Sequence, residues 1–214
     1  MHLAQTPSTQ QVARDLPPGT VVVADLQTAG RGRLDRVWEA PPGTALLATF
    51  VLPRRPLAVF RAGVAAAEAC GPRIRLKWPN DLLLDGHKAA GLLAEQRGDR
   101  CLIGTGINLT WAPPGAACLG LDRDHLLARL VAALEAWWPR ENAEVLEAWR
   151  LRSDTLGRRV RVELRDQTLE GVAAAIDPDG ALVVGGRRVV AGDVVHLRGA
   201  PHESPARPAT RLGA

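Results

Sequence analysis

A glycine- and arginine-rich segment, "GRGRLDRVW" at residues 30–38, carries side chains suited to binding phosphate. Its glycines can adopt backbone conformations closed to other residues and let a ligand approach closely. Arg31, Arg33 and Arg36 supply guanidinium groups that pair with phosphate oxygens, and Trp38 could stack on a base. The segment alone would equally fit a solvated basic loop or an RNA-contacting Gly-Arg segment. It matches neither a P-loop nor a dinucleotide-binding fingerprint.

A second segment, "KWPNDLLLDGHKAAGLLAE" at residues 77–95, combines a strand end with a hairpin. Its proline ends the first strand, because proline restricts the residue before it to extended conformations. Asn80 and Asp81 follow at that strand end, where an amide and a carboxylate can hold a Mg²⁺–phosphate assembly. Lys88 begins the returning strand, and Gly91 permits close approach of a ligand. The alternative is an ordinary exposed hairpin.

Lysine is scarce in this chain, and both lysines fall in that second segment. Lys77 and Lys88 are the only lysines among 27 basic residues; the others are arginines. A compact ammonium and a planar guanidinium are not interchangeable where geometry matters. We therefore expect the two lysines to lie where a compact positive charge is needed, against the alternative of two surface residues retained by chance.

A third segment, "GTGINL" at residues 104–109, places glycines inside an apolar strand. Such glycines usually mark a bulge or a ligand lying against the backbone. Asn108 is one of only three asparagines in the chain, and Asn80 is another. Alone, this segment is weak evidence for a site.

The composition argues against several classes of protein. The 214 residues carry a net charge of only +4, and the arginines behind the isoelectric point near 9.6 are dispersed along the chain, unlike the basic stripe of a nucleic-acid binder. The sequence has no apolar run of membrane-spanning length, no signal peptide and no histidine spacing typical of zinc sites. Three widely spaced cysteines fit a reduced, cytoplasmic chain.

The hydrophobic pattern predicts an α/β fold. Apolar runs predict strands at 20–25 and 44–52, a helix at 57–70, a strand at 73–78, a hairpin turning at Asp85-Gly86, a strand at 100–109, and helices at 123–138 and 143–156. From residue 157 five short alternating segments predict a small antiparallel barrel. The predicted organisation is a catalytic domain at 1–156, a barrel domain at 157–199 and a disordered tail at 200–214.

Taken in order and with their spacing, the three segments resemble the biotin protein ligases, also called biotin–(acetyl-CoA-carboxylase) ligases. That family shows Gly-Arg-Gly-Arg-x-Gly-Arg-x-Trp, Lys-Trp-Pro-Asn-Asp, Lys-x-x-Gly-Ile-Leu-x-Glu and Gly-x-Gly-Ile-Asn, and the resemblance covers residues 8–198. It implies an α/β (α+β) fold, with a mixed β-sheet backed by helices followed by the small antiparallel β-barrel.

The resemblance also implies roles for individual residues. Lys88 and Arg33 would be catalytic, and Asp81 would hold Mg²⁺. The residues implied to bind biotin are Ser8, Thr9, Gln10, Gln27, Arg31, Gly32, Arg33, Lys88 and Gly91. Those implied to bind ATP are Arg31, Arg33, Arg36, Trp38, Lys77, Asn80, Asp81 and Asn108.

The implied activity is an ATP-dependent ligation in two steps. Biotin is activated to biotinoyl-5'-AMP with release of pyrophosphate, and is then transferred to a lysine of the biotin carboxyl carrier protein of acetyl-CoA carboxylase. The resemblance is to the ligase-only form, because the first matching motif begins at Ser8 and leaves no room for the N-terminal helix-turn-helix of repressor members. We therefore expect no DNA partner, and the lack of a membrane-spanning apolar run predicts no membrane partner. An exposed sheet edge would permit a homodimer.

Two positions depart from the family pattern. Asp35 replaces the loop's usual second-half glycine and places an acid among arginines, and Gln10 replaces the usual asparagine or similar residue after Ser-Thr. A lipoate ligase or octanoyltransferase is the rival enzyme, built on a related fold. A small-barrel RNA-binding protein is the rival from another class, although a stripe of stacking aromatic residues is lacking.

Overall fold

A seven-stranded mixed sheet forms the first part of the protein. The computed structural model describes residues 1–34, 36–164 and 167–197. The strands of this sheet are β1 (His2–Thr6), β2 (Val21–Gln27), β3 (Ala45–Pro53), β4 (Ile74–Lys77), β5 (Asp81–Leu84), β6 (His87–Arg97) and β7 (Arg100–Asn108). Their order is β1-β2-β3-β7-β6-β5-β4, with β1 and β2 parallel and the other neighbours antiparallel. The predicted mixed sheet is confirmed.

The two faces of this sheet have different tasks. Side chains alternate between the faces of a strand, so Leu46 and Phe50 of β3 and Ile103 of β7 point into the main hydrophobic core. Gly104 and Gly106 of β7 take the opposite face. An added Cβ there would collide with side chains lying flat against the strand. One face therefore carries the core, and the other is left clear for a site.

Three helices cover the core face. They are α2 (Ala58–Cys70), α3 (Arg123–Trp137) and α4 (Asn142–Arg152), and a short α1 (Thr9–Val12) with a 3₁₀ turn (Ala13–Asp15) lies earlier in the chain. The rings of Phe60 and Trp149 pack 5.3 Å apart at 52°. Buried Arg61 connects α2 to the segment that follows α3. Its guanidinium donates to the carbonyls of Trp138 at 2.9 Å and Arg140 at 2.6 Å.

The end of α4 corrects the sequence-based prediction. The helix ends at Arg152, whereas the apolar pattern extended it to Leu156. Ser153 takes an extended conformation and forms a bridge to Leu76. Its hydroxyl accepts hydrogen bonds from the backbone N–H groups of Thr155 and Leu156 at 3.1 Å. A serine that satisfies following N–H groups offers the backbone an alternative to helix.

The hairpin turn between β5 and β6 confirms its prediction. Asp85 has φ of 50° and Gly86 has φ of 81°, and a type I′ turn requires positive φ at both central residues. The start of the chain was not predicted, because β1 and α1 are short and their sequences show no clear periodicity.

A five-stranded antiparallel sheet forms the second part. Its strands are β8 (Arg159–Glu163), β9 (Thr168–Ile176), β10 (Leu182–Val184), β11 (Arg187–Val189) and β12 (Asp193–His196), in the order β11-β10-β9-β8-β12. The five predicted antiparallel strands are confirmed. Val160 and Val162 join the same buried cluster as the helices. Asp35 and the predicted tail lie outside the described residues, and no helix among those described is long and apolar enough to cross a bilayer.

Candidate active site

A cavity of about 120 Å³ lies on the open face of the first sheet. It gathers thirteen of the predicted site residues from α1 and the residue before it, β2, the 30–38 loop, the start of β5 with the turn before it, and β6. They are Ser8, Thr9, Gln10, Gln27, Arg31, Gly32, Arg33, Arg36, Trp38, Asn80, Asp81, Lys88 and Gly91. Residues as far apart as Ser8 and Gly91 in the sequence thus meet at one place.

The polar end of the cavity, defined by Ser8, Thr9, Gln10 and Gln27, carries no charge. The side-chain oxygen of Gln27 accepts hydrogen bonds from the backbone N–H of Thr9 at 2.7 Å and from its hydroxyl at 3.0 Å. The Thr9 hydroxyl also lies 2.9 Å from that of Thr49. These contacts hold the side chains of Thr9 and Gln27 in place.

Gln10 presents an unused donor at the polar end. Its side-chain oxygen lies so close to β7 that a Cβ on Gly104 would be 2.1 Å away. Its Nε2 is buried without a hydrogen-bond partner among the described residues. Because an unpaired buried N–H is costly, this group is suited to donate to a ligand's carbonyl oxygen.

Trp38 lies flat over a pair of facing glycines. Gly91 of β6 and Gly106 of β7 are register partners. A Cβ on Gly106 would lie 2.3 Å from Cε2 of Trp38, and one on Gly91 would lie 3.2 Å from Cζ3. The two glycines therefore make the space that the indole occupies. The Trp38 Nε1 is buried and unpartnered within the described part of the chain.

The charged end of the cavity is defined by Lys88, Asp81 and the loop arginines. The ammonium of Lys88 lies 2.8 Å from Oδ1 of Asp81, which is half-buried. The same ammonium lies 5.7 Å from the ring centroid of Trp38. It would be 3.5 Å from a Cβ on Gly91. Lys88 thus extends over Gly91, where its compact head group fits.

The 30–38 loop folds back on itself beside this charged end. The N–H of Gly32 donates to the carbonyl of Arg36 at 2.7 Å, and the N–H of Trp38 donates to that of Gly30 at 3.0 Å. A Cβ on Gly30 would lie 2.2 Å from the Trp38 carbonyl oxygen. There is therefore no room for a side chain at Gly30, where the two ends of the loop come together. Leu34, near its tip, has φ of 52°.

Arg33 connects this loop to the strand-end turn. Its Nη1 donates to Oδ1 of Asn80 at 3.1 Å, and the Asn80 amide donates to the Leu92 carbonyl at 2.8 Å. Burial lowers the pKa of the Arg33 guanidinium, against the opposing effect of the Asp193 and Asp81 carboxylates. The guanidinium is therefore partly removed from water, and its hydrogen bonds set its direction.

Two predicted site residues do not line the cavity. Lys77 instead lies near His196, and its charge helps to lower the pKa of that imidazole. Asn108 donates from its amide to the Ala117 carbonyl at 3.0 Å. Its Oδ1 is buried with no partner in the described ranges. Their roles in binding ATP stay predictions.

The structure adds residues that sequence reasoning missed. Asp193 reaches the cavity from β12 and forms an ion pair with Arg36. No local pattern marks Asp193, because its importance comes from the approach of the second sheet. Trp78 of the Lys-Trp-Pro-Asn-Asp motif is buried, and its indole N–H donates to the Gly180 carbonyl at 3.0 Å. It joins the two sheets and does not line the cavity.

Comparison with known proteins agrees with the motifs. The model of the biotin/lipoate A/B protein ligase family matches residues 3–109, and that of the biotin protein ligase C-terminal domain matches residues 155–197. A biotin–(acetyl-CoA-carboxylase) ligase of Mycobacterium tuberculosis is 39% identical over 212 residues, which cover 84% of this chain and 80% of the relative. A relative of the same name in Paracoccus denitrificans is 33% identical over 242 residues, covering 92% and 100%.

A solved structure shows the same fold. The biotin protein ligase from Aquifex aeolicus in complex with biotin and ATP superposes with a TM-score of 0.78 at 24% identity, covering 93% of this chain and 98% of that one. The solved structure supports the fold, and the family models and the two relatives support the family. The chain belongs to the biotin protein ligases, within the biotin/lipoate A/B protein ligase family.

Proposed function

We propose that this protein activates biotin with ATP to biotinoyl-5'-AMP and transfers the biotinoyl group to a lysine of a biotin carboxyl carrier domain. The observation that carries the proposal is a single cavity with an uncharged hydrogen-bonding end and an ammonium at the other. The names of the two relatives supply the substrate and the acceptor class.

The spacing of the two ends suits biotin. Gly104, under Gln10, and Gly106, under Trp38, are two residues apart on β7. Two residues of an antiparallel strand span about 6.8 Å. The ureido ring, an uncharged donor and acceptor, would bind Gln10 and its neighbours. The side chain of biotin would then carry the carboxylate towards Lys88.

In the first step a carboxylate oxygen of biotin attacks the α-phosphorus of ATP, and pyrophosphate leaves. Negative charge develops on the transferring phosphoryl group, so fixed cations lower the barrier. Lys88 lies where the carboxylate and the α-phosphate would meet, and Arg33 supplies the second positive charge. The closed 30–38 loop would keep water from the mixed anhydride.

Asp81 is our proposed Mg²⁺ ligand. Groups of three or more metal-binding side chains are absent from the described residues. Mg²⁺ in nucleotide sites needs only one or two carboxylates, with phosphates and waters completing the shell, so Asp81 beside the Asn80 amide fits. When bound, the ion would neutralise phosphate charge. Asp81 would then bind the metal ion in place of the Lys88 ammonium.

In the second step the ε-amine of the acceptor lysine attacks the acyl carbon, and AMP leaves. Asp81 is the carboxylate at hand to take the amine's proton, although positioning alone can supply much of the rate. We place the reaction in the cytoplasm, where ATP and the carboxylase are found, without DNA or a membrane as partner. Residues 1–156 and 157–199 would be the two domains, and a homodimer stays a prediction.

The decisive experiment is biotin-dependent exchange of labelled pyrophosphate into ATP, followed by transfer to a purified carrier domain. We expect both activities with biotin, and neither with lipoate or octanoate. Exchange that responds to lipoate but not to biotin would support the lipoate ligase instead. Tight, steeply salt-dependent binding of RNA without exchange would indicate an RNA-binding protein.

A further inference from the structure

The second sheet touches the 30–38 loop at two points. The carboxylate of Asp193, the first residue of β12, forms an ion pair with Arg36. The carbonyl of the preceding residue, Gly192, accepts a hydrogen bond from Nη1 of Arg33 at 3.3 Å. The loop's two inner arginines are thus held by neighbouring residues of one short segment, which comes more than 150 positions later in the chain.

The position of Asp193 is fixed by its own sheet. β12 pairs with β8, and Asp193 is the register partner of Glu163. A Cβ on Gly192 would lie 2.7 Å from Cγ1 of Val162, so the glycine lets the chain enter β12 close to β8. The Asp193 side chain is only 24% exposed. It is therefore a partly buried carboxylate at the start of a strand whose register is fixed by β8.

Trp38 packs on Gly91 and Gly106 at the end of the loop, but the other described residues of the loop have little apolar contact to hold them. Leu34 and Val37 are 62% and 66% exposed, so burial of these side chains contributes little to the loop's position. Beyond Trp38, the described side-chain hydrogen bonds that join the loop to the rest of the protein are made by Arg33 and Arg36. Loss of the Asp193 carboxylate would remove the only ion pair that Arg36 makes with described residues.

We propose that Asp193 is a positioning residue that holds the 30–38 loop over the cavity through Arg36, and so keeps Arg33 directed towards the adenylate. Asp193 itself need not touch the reacting atoms. Its part in retaining the adenylate rests on the proposed function, whereas its hold on the loop does not. The second sheet therefore acts as part of the active site.

The first test needs no substrate. Trypsin cleaves after arginine, so the rate of cleavage at Arg31 and Arg33 in the ligand-free enzyme reports loop opening. Asp193→Asn should raise this rate about threefold or more, as expected for loss of a partly buried ion pair. Asp177→Asn is the matched control, because Asp177 pairs with Arg188 on the same sheet away from the cavity. It should leave the rate unchanged.

Two further variants separate positioning from a general structural effect. Asp193→Glu keeps the charge and should restore most of the wild-type protection. In an Arg36→Gln background, Asp193→Asn should add no further acceleration, because the two residues act as one pair. In exchange assays Asp193→Asn should raise the KM for ATP and release biotinoyl-AMP about threefold faster, with a smaller change in kcat.

Unchanged cleavage in Asp193→Asn would overturn the proposal, as would equal acceleration by Asp177→Asn or full additivity with Arg36→Gln. These outcomes are independent of the proposed function. If the wild-type enzyme showed no biotin-dependent exchange, the ligase assignment would fail, while the cleavage rates would still decide whether Asp193 holds the loop.

Discussion

Lys88 and Asp81 form an ion pair across the hairpin of β5 and β6, with 2.8 Å between Nζ and Oδ1. Asp81 pairs in register with Gly91, so the ammonium passes over a residue that has no side chain. A carboxylate, an ammonium and a bare stretch of backbone therefore meet where a phosphate or carboxylate ligand can approach. At this position a compact ammonium fits better than a wider guanidinium, and this is the explanation we propose for a lysine in an arginine-rich chain.

Replacement of Lys88 by arginine tests that explanation. The guanidinium is wider than the ammonium and would meet Trp38 and the backbone of Gly91, which lie close to the present Nζ. We expect biotin-dependent pyrophosphate exchange to fall about 100-fold or more, similar to the loss of one transition-state donor, while the protein stays folded. Exchange at near wild-type rate would contradict this role.

The same change at Lys77 tests the second lysine. Lys77 lies outside the cavity lining and near His196. If a lysine is essential only where it lines the cavity, Lys77→Arg should reduce exchange by less than about tenfold. A loss as large as that of Lys88→Arg would support the sequence-based prediction that Lys77 acts on the phosphates.

Two glycine variants should separate the two ends of the cavity. In Gly106→Ala the new methyl group would displace the rigid Trp38 ring. Since base–aromatic stacking contributes about 1–3 kcal/mol, we expect the KM for ATP to rise about tenfold. In Gly104→Ala the methyl group would displace the Gln10 amide, and the KM for biotin should rise instead, with that for ATP little changed. Equal effects of both variants on one KM would contradict this division.

Arg33→Gly should let the adenylate escape. The variant loses the hydrogen bonds to Asn80 and to the Gly192 carbonyl, and bonds to charged groups contribute about 1.5–3 kcal/mol each. Release of labelled biotinoyl-AMP, followed by gel filtration, should be about tenfold faster or more. Arg54→Gly changes an exposed arginine outside the cavity and should retain the adenylate as wild type does. Equal retention by both variants would refute the loop's role.

His196 should make the stability of the fold depend on pH. Burial lowers the pKa of its imidazole from 6.5 to about 4; the charges of Lys77 and Arg158 act in the same direction, and Asp154 opposes them. Its Nε2 lies 3.3 Å from the Thr155 hydroxyl. Between these two pH values the unfolded chain binds more protons than the folded one, so the free energy of unfolding decreases as the pH falls through this window.

Urea denaturation at about pH 7 and about pH 5 measures this effect. The glutamine of His196→Gln can keep a polar contact to Thr155 but cannot bind a proton. The variant should therefore lose less stability than wild type between the two pH values. His125→Gln, at an exposed position, should keep the wild-type difference. Identical pH dependence in wild type and His196→Gln would show that His196 does not contribute.

Much of the fold was predictable because its signals are local. The apolar runs of β2, β3 and β7 and the Asp85-Gly86 turn depend on side chains and backbone preferences within a few residues. The end of α4 was not predictable from periodicity, since Ser153 stops the helix by hydrogen bonds and by a bridge to a distant strand. β1 is recognisable only by its pairing with β2.

The candidate site also has a part that local sequence predicts and a part that depends on distant contacts. The motifs alone identified Lys88, Arg33 and the residues around them, because each motif keeps its chemical side chains at short, fixed spacing. Which of them share a cavity depended on how distant segments pack together, and Lys77 and Asn108 do not line that cavity.

The sequence by itself therefore determined the family, most of the strands and most of the polar side chains that line the cavity, since these are encoded in local pattern and motif. Only the tertiary structure brought Asp193 of the second sheet against Arg36 of the first. An ion pair between residues 157 positions apart exists only when two sheets pack against a common core, and no local property of either residue encodes that meeting.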